Sequence, residues 1–286
     1  MVGVDGSDAS EFAYQLVSRD IVKSYSKHDS TEDYLIVGSV INRAKDKFLP
    51  YNMKSHYLID RYTASMVQHG KHGRFYHVDI EEGKTTKQTM WEMGKAEQAD
   101  ILVVGNHGRK GPKSDETVCG TAIEHIAANQ TFPVIIIKDF KPRSTKKDGL
   151  LRYGICYDGS SKSKKAFELV CNIMRPQDKL AVIWVNEPTS RESSDTVKSY
   201  VHRTTEKFGL EKVEVHMLDP IPGKSTYQTI KHFLQYQASN VQHGYIDFVA
   251  VGNAGMRFDS LDAKDHLGSV ANSVLRARRM NVIFVP

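Results

Sequence analysis

Two glycine brackets carry the chemistry that can be read directly from this chain. Gly105-Asn106-His107-Gly108 is followed, after eleven residues, by Gly120-Thr121. Gly252-Asn253-Ala254-Gly255 is followed, after twelve, by Gly268-Ser269. Paired glycines after a strand let the backbone approach a ligand closely. A Gly-Thr or Gly-Ser at a helix start offers unpaired N–H groups beside a hydroxyl, and the helix end carries partial positive charge. Together these make a cradle for phosphate, to which Arg109 adds a cation with several donors.

The brackets belong to a longer repeat. Val2-Gly3-Val4-Asp5-Gly6-Ser7 near the amino terminus matches Gly154-Ile155-Cys156-Tyr157-Asp158-Gly159-Ser160 in the second half, each an apolar run ending in Asp-Gly-Ser ahead of a helical pattern. Asp5 and Asp158 are 153 residues apart, Gly105 and Gly252 147, and Gly120 and Gly268 148. A period of that size is a whole domain rather than a solenoid unit, so the chain reads as a tandem pair. We place one domain at 1–138, a linker at 139–150 and a second domain at 151–286. The linker reading rests on Lys138–Gly149, which has five cations, a proline, a glycine and no periodicity.

Each half must then supply elements that hold its bracket. Strands are expected near 1–5, 33–41, 74–80, 101–105 and 133–137, and again near 152–157, 179–186, 212–218, 246–252 and 281–285. Helices are expected near 9–26, 51–69, 85–97 and 121–129, and near 161–174, 193–208, 225–240 and 269–278. Leu180–Val185 is a continuous apolar run of the kind a parallel strand covered on both faces requires. Phe12, Leu16 and Val17 recur at helical spacing, as do Phe167, Val170 and Cys171. Strand–helix alternation implies an α/β fold of two doubly wound domains, with helices on both faces of each parallel sheet. In such sheets ligands sit beyond the carboxyl ends of the strands, where the strand order reverses.

With these motifs the chain resembles a tandem universal stress protein of the ATP-binding type. The resemblance covers nearly the whole sequence. It implies a five-stranded sheet of order 3-2-1-4-5 in each domain, a cytoplasmic role in stress response, binding of ATP or another adenine nucleotide, and pairing of the two domains through their fifth strands. By resemblance, Asp5 would bond the nucleoside and Val40 would offer backbone to adenine. Gly105, Gly108 and Arg109 would line ribose and phosphates, and Gly120, Thr121 and Ala122 would donate to phosphate oxygens. The second-half equivalents are Asp158, Val185, Gly252, Gly255, Met256, Gly268, Ser269 and Val270. The family spaces its second and third glycines by nine residues, whereas this chain has eleven and twelve.

The two brackets differ in charge. The first encloses Arg109, Lys110 and Lys113 against Asp115 and Glu116; the second encloses Arg257 and Lys264 against Asp259, Asp262 and Asp265. Acidic loops repel phosphate unless a cation intervenes, so the first half is expected to bind nucleotide more strongly.

Other features carry less. Gly83-Lys84-Thr85 and Gly223-Lys224-Ser225 mimic the tail of a P-loop but lack its leading glycine, so Thr85 and Ser225 read as helix caps. Twelve histidines form no zinc-spaced pair, and three cysteines form no Cys-x-x-Cys, which fits a reducing compartment without a metal site. At 286 residues, 40% hydrophobic, 26% charged and +5 net, the chain is globular and has no membrane-length apolar run. Nucleic-acid binding would want a denser basic patch with interleaved aromatics.

No residue set reads as a nucleophile with its base, so a sensor or regulator is expected, with slow magnesium-dependent ATP hydrolysis the most catalysis on offer. Thr121 and Ser269 are the hydroxyls such a magnesium ion would use. The competing readings are a paired-domain interaction scaffold with empty sites, and an enzyme such as an adenylate-forming ligase. Monomer and homodimer both stay open.

Overall fold

The computed structural model describes residues 1–22, 33–109, 126, 131–139, 141–187, 192–239, 245–253, 267–277 and 280–286. The expected helix at 121–129 and the residues Gly120, Thr121, Ala122, Gly255 and Met256 lie outside this set, Ile126 excepted. The chain divides into two compact units, Met1–Phe140 and Lys141–Pro286.

The first unit contains β1 (Val2–Gly3), β2 (Leu35–Ile41), β3 (Gly73–Asp79), β4 (Leu102–Gly105) and β5 (Val134–Ile137). Their order is β3-β2-β1-β4-β5, and the pairings are parallel. The second unit repeats the plan with β6 (Arg152–Cys156), β7 (Lys179–Val185), β8 (Lys212–Leu218), β9 (Phe248–Gly252) and β10 (Asn281–Val285). There the order is β10-β9-β6-β7-β8, again parallel. Each unit is thus an α/β sheet of order 3-2-1-4-5, and the order reverses between its first and fourth strands.

Several strands are buried on both faces. Val134–Ile137 and Asn281–Val285 have no exposed residue, and Leu35–Ile41 is buried throughout. Such β-branched runs suit strands roofed by helices on either side. Strands β3 and β8 mix exposed and half-buried positions and have no fully buried residue, as an outer strand should.

The helices of the first unit are α1 (Asp8–Leu16), α2 (Arg43–Asp46), α3 (Ser55–Gln68) and α4 (Thr86–Ala96); those of the second are α5 (Ser161–Ile173), α6 (Ser194–Lys207), α7 (Thr226–Ser239) and α8 (Ser269–Leu275). Serine or threonine starts several of them for a physical reason. Ser7, Ser160 and Ser193 each accept from the N–H three residues on, and Thr85 forms a reciprocal capping box with Gln88. Gln228 and Ser225 exchange the same pair of bonds at 2.8 and 3.3 Å, so both P-loop mimics are caps.

Three boundaries differ from the sequence expectation. The first helix leaves α geometry after Leu16 and continues as a π-helical turn at Val17–Ile21, closed by a Val22 N–H to Val17 carbonyl bond of 2.8 Å. The helix expected from 51 starts at Ser55, because Tyr51–Met53 forms a separate 3-10 turn and Lys54 is extended. α2 was not expected; Asn42 caps it by accepting from Lys45.

The stretch read as a linker is tied into the second unit. Arg143–Thr145 forms a 3-10 turn, and the Arg143 guanidinium grips both carboxylate oxygens of the fully buried Asp178. Lys146 pairs with Asp247, which also accepts from the Arg152 N–H at 2.8 Å. No described helix is long and apolar enough to cross a membrane.

Candidate functional site

In the first unit the chain leaves β1 through Val4, whose N–H still bonds the Gly38 carbonyl at 2.8 Å. Asp5 then turns out of the sheet, and Gly6 takes φ +84°, a conformation in which an L side chain is strained. Ser7 closes the turn. Asp5 Oδ1 accepts from the Ser7 N–H at 3.0 Å and from its hydroxyl at 2.6 Å. The Ser10 hydroxyl ties the turn to α1, donating to the Ser7 carbonyl at 2.9 Å and accepting from the Asp5 N–H at 3.3 Å.

The glycine loop after β4 lands on this turn. Asn106 N–H bonds the Ile137 carbonyl at 2.8 Å, carrying the chain one residue past the strand. The Ser7 hydroxyl reaches the His107 carbonyl at 3.4 Å, and the Arg109 N–H donates to Asp5 Oδ2 at 3.0 Å. The Arg109 side chain folds back, giving Nε to the Asp5 carbonyl at 2.5 Å and a terminal nitrogen to the Met53 carbonyl at 3.4 Å. Asp5, Gly105, Gly108 and Arg109 are thereby brought together at the reversal of strand order.

Both described glycines of this bracket are needed for the fit. A β-carbon on Gly108 would stand 2.7 Å from Asp5 Oδ2. One on Gly105 would meet the Ala9 carbonyl carbon at 2.6 Å, where strand and helix backbones leave nothing free to move. Gly105→Val is therefore expected to destabilise the first unit by about 1–3 kcal/mol through overpacking, read from the urea unfolding of Trp91 fluorescence. An unchanged midpoint would show that α1 can slide away from β4.

The second unit rebuilds the turn with the same parts. Gly159 has φ +81°, Asp158 Oδ1 accepts from the Ser160 N–H at 3.0 Å, and the Ser163 hydroxyl donates to the Ser160 carbonyl at 3.0 Å. Asn253 repeats the role of Asn106, donating to the Val285 carbonyl at 2.8 Å. Gly268, the residue before α8, donates to the Asn253 carbonyl at 2.7 Å, and so draws the helix start back to the end of β9. Gly252 and Asp158 thus face the same strand reversal, with Gly268, Ser269 and Val270 opening α8 beside it. Val40 and Val185 are buried near the carboxyl ends of β2 and β7, and the Val185 carbonyl accepts from Glu187 N–H at 2.9 Å.

The two turns are covered differently. Met53 lies over Gly6, its Cα 3.1 Å from where a β-carbon would sit. Glu192 lies over Gly159, its carboxyl carbon 2.8 Å from the same point. Glu192 accepts from the Tyr157 hydroxyl at 3.1 Å and from the Lys164 ammonium at 2.8 Å. Burial, reinforced by the Glu192 charge, pushes the Tyr157 phenol far above its ordinary pKa. A carboxylate over the second turn adds to the acidic character that the sequence gives the loop beyond it. Sequence reasoning missed Ser10, Ser163, Met53 and Glu192. The two serines had a legible signal, since each stands five residues after the aspartate in both copies.

No protein-family model matches the sequence, and no curated protein matches it. Solved structures do resemble it in fold. A universal stress protein from Archaeoglobus fulgidus DSM 4304 is 18% identical, aligns over 99% of this chain and 94% of its own, and has a TM-score of 0.57. A functionally unknown protein from Pseudomonas aeruginosa PAO1 aligns over 99% and 91% at 10% identity, with a TM-score of 0.60. The cytoplasmic domain of a prokaryotic cation chloride cotransporter aligns over 99% and 93% at 13% identity, with a TM-score of 0.51. The chain has the universal stress protein fold.

Proposed function

We propose that the protein binds an adenine nucleotide (ATP, ADP or AMP) at the carboxyl ends of the first unit's strands and acts as a cytoplasmic stress-response sensor or regulator. The observation that carries this reading is the union of the Asp5-Gly6-Ser7 turn with the Gly105–Arg109 loop at the strand reversal. A β-carbon at 108 would crowd the Asp5 carboxylate, so the glycine loop lies close against the turn, as a ligand cradle at the strand reversal requires. Gly120, Thr121 and Ala122 complete the cradle in this reading, with N–H groups for phosphate oxygens and a hydroxyl for magnesium.

A regulatory role, with slow ATP hydrolysis the most turnover in this reading, is favoured by how the carboxylate of this turn is used. Asp5 spends its oxygens on Ser7 and on the Arg109 N–H, so it holds the loop instead of activating water. In the second unit an acidic bracket opposes phosphate and Glu192 crowds the turn, so Asp158, Val185, Gly252, Gly255, Met256, Gly268, Ser269 and Val270 form the weaker site.

Isothermal titration of the full chain with magnesium-supplemented ATP, ADP and AMP tests the proposal. One tight site is expected, retained in a Gly255→Asp variant. Absence of heat with every adenylate at millimolar concentration would overturn it in favour of an interaction scaffold with empty sites.

A further inference from the structure

At the opposite end of its strands from the Asp158 turn, the second unit holds a cleft of about 450 Å³, within the usual range of small-ligand pockets. Strand register builds it. Arg152 pairs with Lys179 and Lys179 with Lys212, so three cations stand abreast on β6, β7 and β8. In-register neighbours of a parallel sheet share a face and lie about 4.8 Å apart, where like charges repel. The next rung on that face is Gly154, Ala181 and Glu214, a floor of small residues bordered by one acid. Ile246 closes one side, within 3.3 Å of a β-carbon built on Gly154.

The cations are only partly neutralised. Arg152 gives one terminal nitrogen to Asp148 and the other to the Leu150 carbonyl at 3.4 Å. Its Nε is buried and donates to no described residue. Neither Lys179 nor Lys212 makes an ion pair with a described residue. Glu211 and Glu214 also line the cleft, and Glu214 stands 3.1 Å from His216 Nε2.

The first unit shows what this place looks like when it is filled. There the counterparts of Gly154, Ala181 and Glu214 are Met1, Ile36 and Arg74, so a thioether and a branched side chain stand where the second unit has a glycine and an alanine. Tyr34 and His72 take the places of Lys179 and Lys212, their ring centroids 4.9 Å apart, and Arg74 is paired with Glu97. One unit has thus filled the floor with larger side chains and matched its single cation, while the other leaves the floor open under a row of three.

We propose that this cleft binds a small organic anion, its phosphate or carboxylate head held by Arg152, Lys179 and Lys212 and its apolar body lying on Ala181 and Ile246. The site is separate from the nucleotide site and does not rest on that reading. The test is methyl NMR of Ala181, Ile183 and Ile246 in the full chain, titrated with phenyl phosphate and with benzoate, and with benzyl alcohol as the neutral control. Saturable shifts at Ala181 and Ile246 are expected with one or both anions and not with the alcohol; the stronger of the two identifies the head group. Lys179→Gln combined with Lys212→Gln should weaken that binding at least tenfold, and Ala181→Ile, which imitates the filled floor, should abolish it. Equal shifts with benzyl alcohol, no shifts with either anion, or undiminished affinity in both variants would overturn the proposal.

Discussion

Asp178→Ala is expected to destabilise the second unit by about 3–5 kcal/mol, the cost of leaving one member of a buried ion pair alone. Asp178 has no solvent exposure, and its carboxylate does four jobs at once. It receives both terminal nitrogens of Arg143, the Leu151 N–H at 3.1 Å and the Arg175 N–H at 2.9 Å. Alanine would orphan two backbone donors and strand a guanidinium that is itself about one-tenth exposed. Trp184, buried on β7, reports this unit, and a Trp91→Phe background silences the other.

The urea midpoint of Trp184 should fall by about 1.5–2.5 M if the slope is near 2 kcal/mol/M. A fall under about 0.5 M would mean that water replaces the lost bonds at little cost. Arg143→Ala isolates the pair. If the ion pair is the main loss, the double variant costs well below the sum of the two single ones, because removing both partners leaves no charge unpaired. If the costs add, the backbone donors dominate instead.

That carboxylate also shows where sequence reasoning stops. The Lys138–Gly149 stretch is basic, aperiodic and punctuated by proline and glycine, and those traits describe a solvated connector. What ties it down is Asp178, 35 residues away from Arg143, and nothing in the composition of either segment announces the pairing. The strands were legible because burial on both faces forces continuous apolar runs such as Val134–Ile137. Element starts were less so. α3 begins at Ser55 because the Tyr51–Met53 turn packs over Gly6, a contact between segments 47 residues apart.

The candidate site divides in the same way. Asp-Gly-Ser and the glycine bracket were readable from residue type and repetition, since positive φ and close approach both call for glycine. The use of the Asp5 carboxylate to hold the Arg109 N–H was not readable, nor was the replacement of Met53 by Glu192 over the second turn. Both depend on which loops the sheet order brings together.

Gly108→Asp separates the two units' contributions to binding. The new β-carbon would crowd Asp5 Oδ2, which cannot simply turn away, because its partner oxygen is fixed by Ser7 and it is itself held by the Arg109 N–H. A displaced loop carrying a second carboxylate beside the first, where phosphate must approach, predicts a loss of nucleotide affinity in the first unit of at least about 100-fold. Gly108 is exposed, so the unfolding of Trp91 should move by no more than about 1 kcal/mol, which distinguishes a lost site from a lost fold. Gly255→Asp provides the reciprocal arm. If that change alone abolishes binding, the acidic second bracket is the true site and a divalent cation must carry the phosphate there. If Gly108→Asp binds as tightly as the wild type while Gly255→Asp does too, the nucleotide sits away from both brackets, and the Asp5 turn serves only to join β1 to α1.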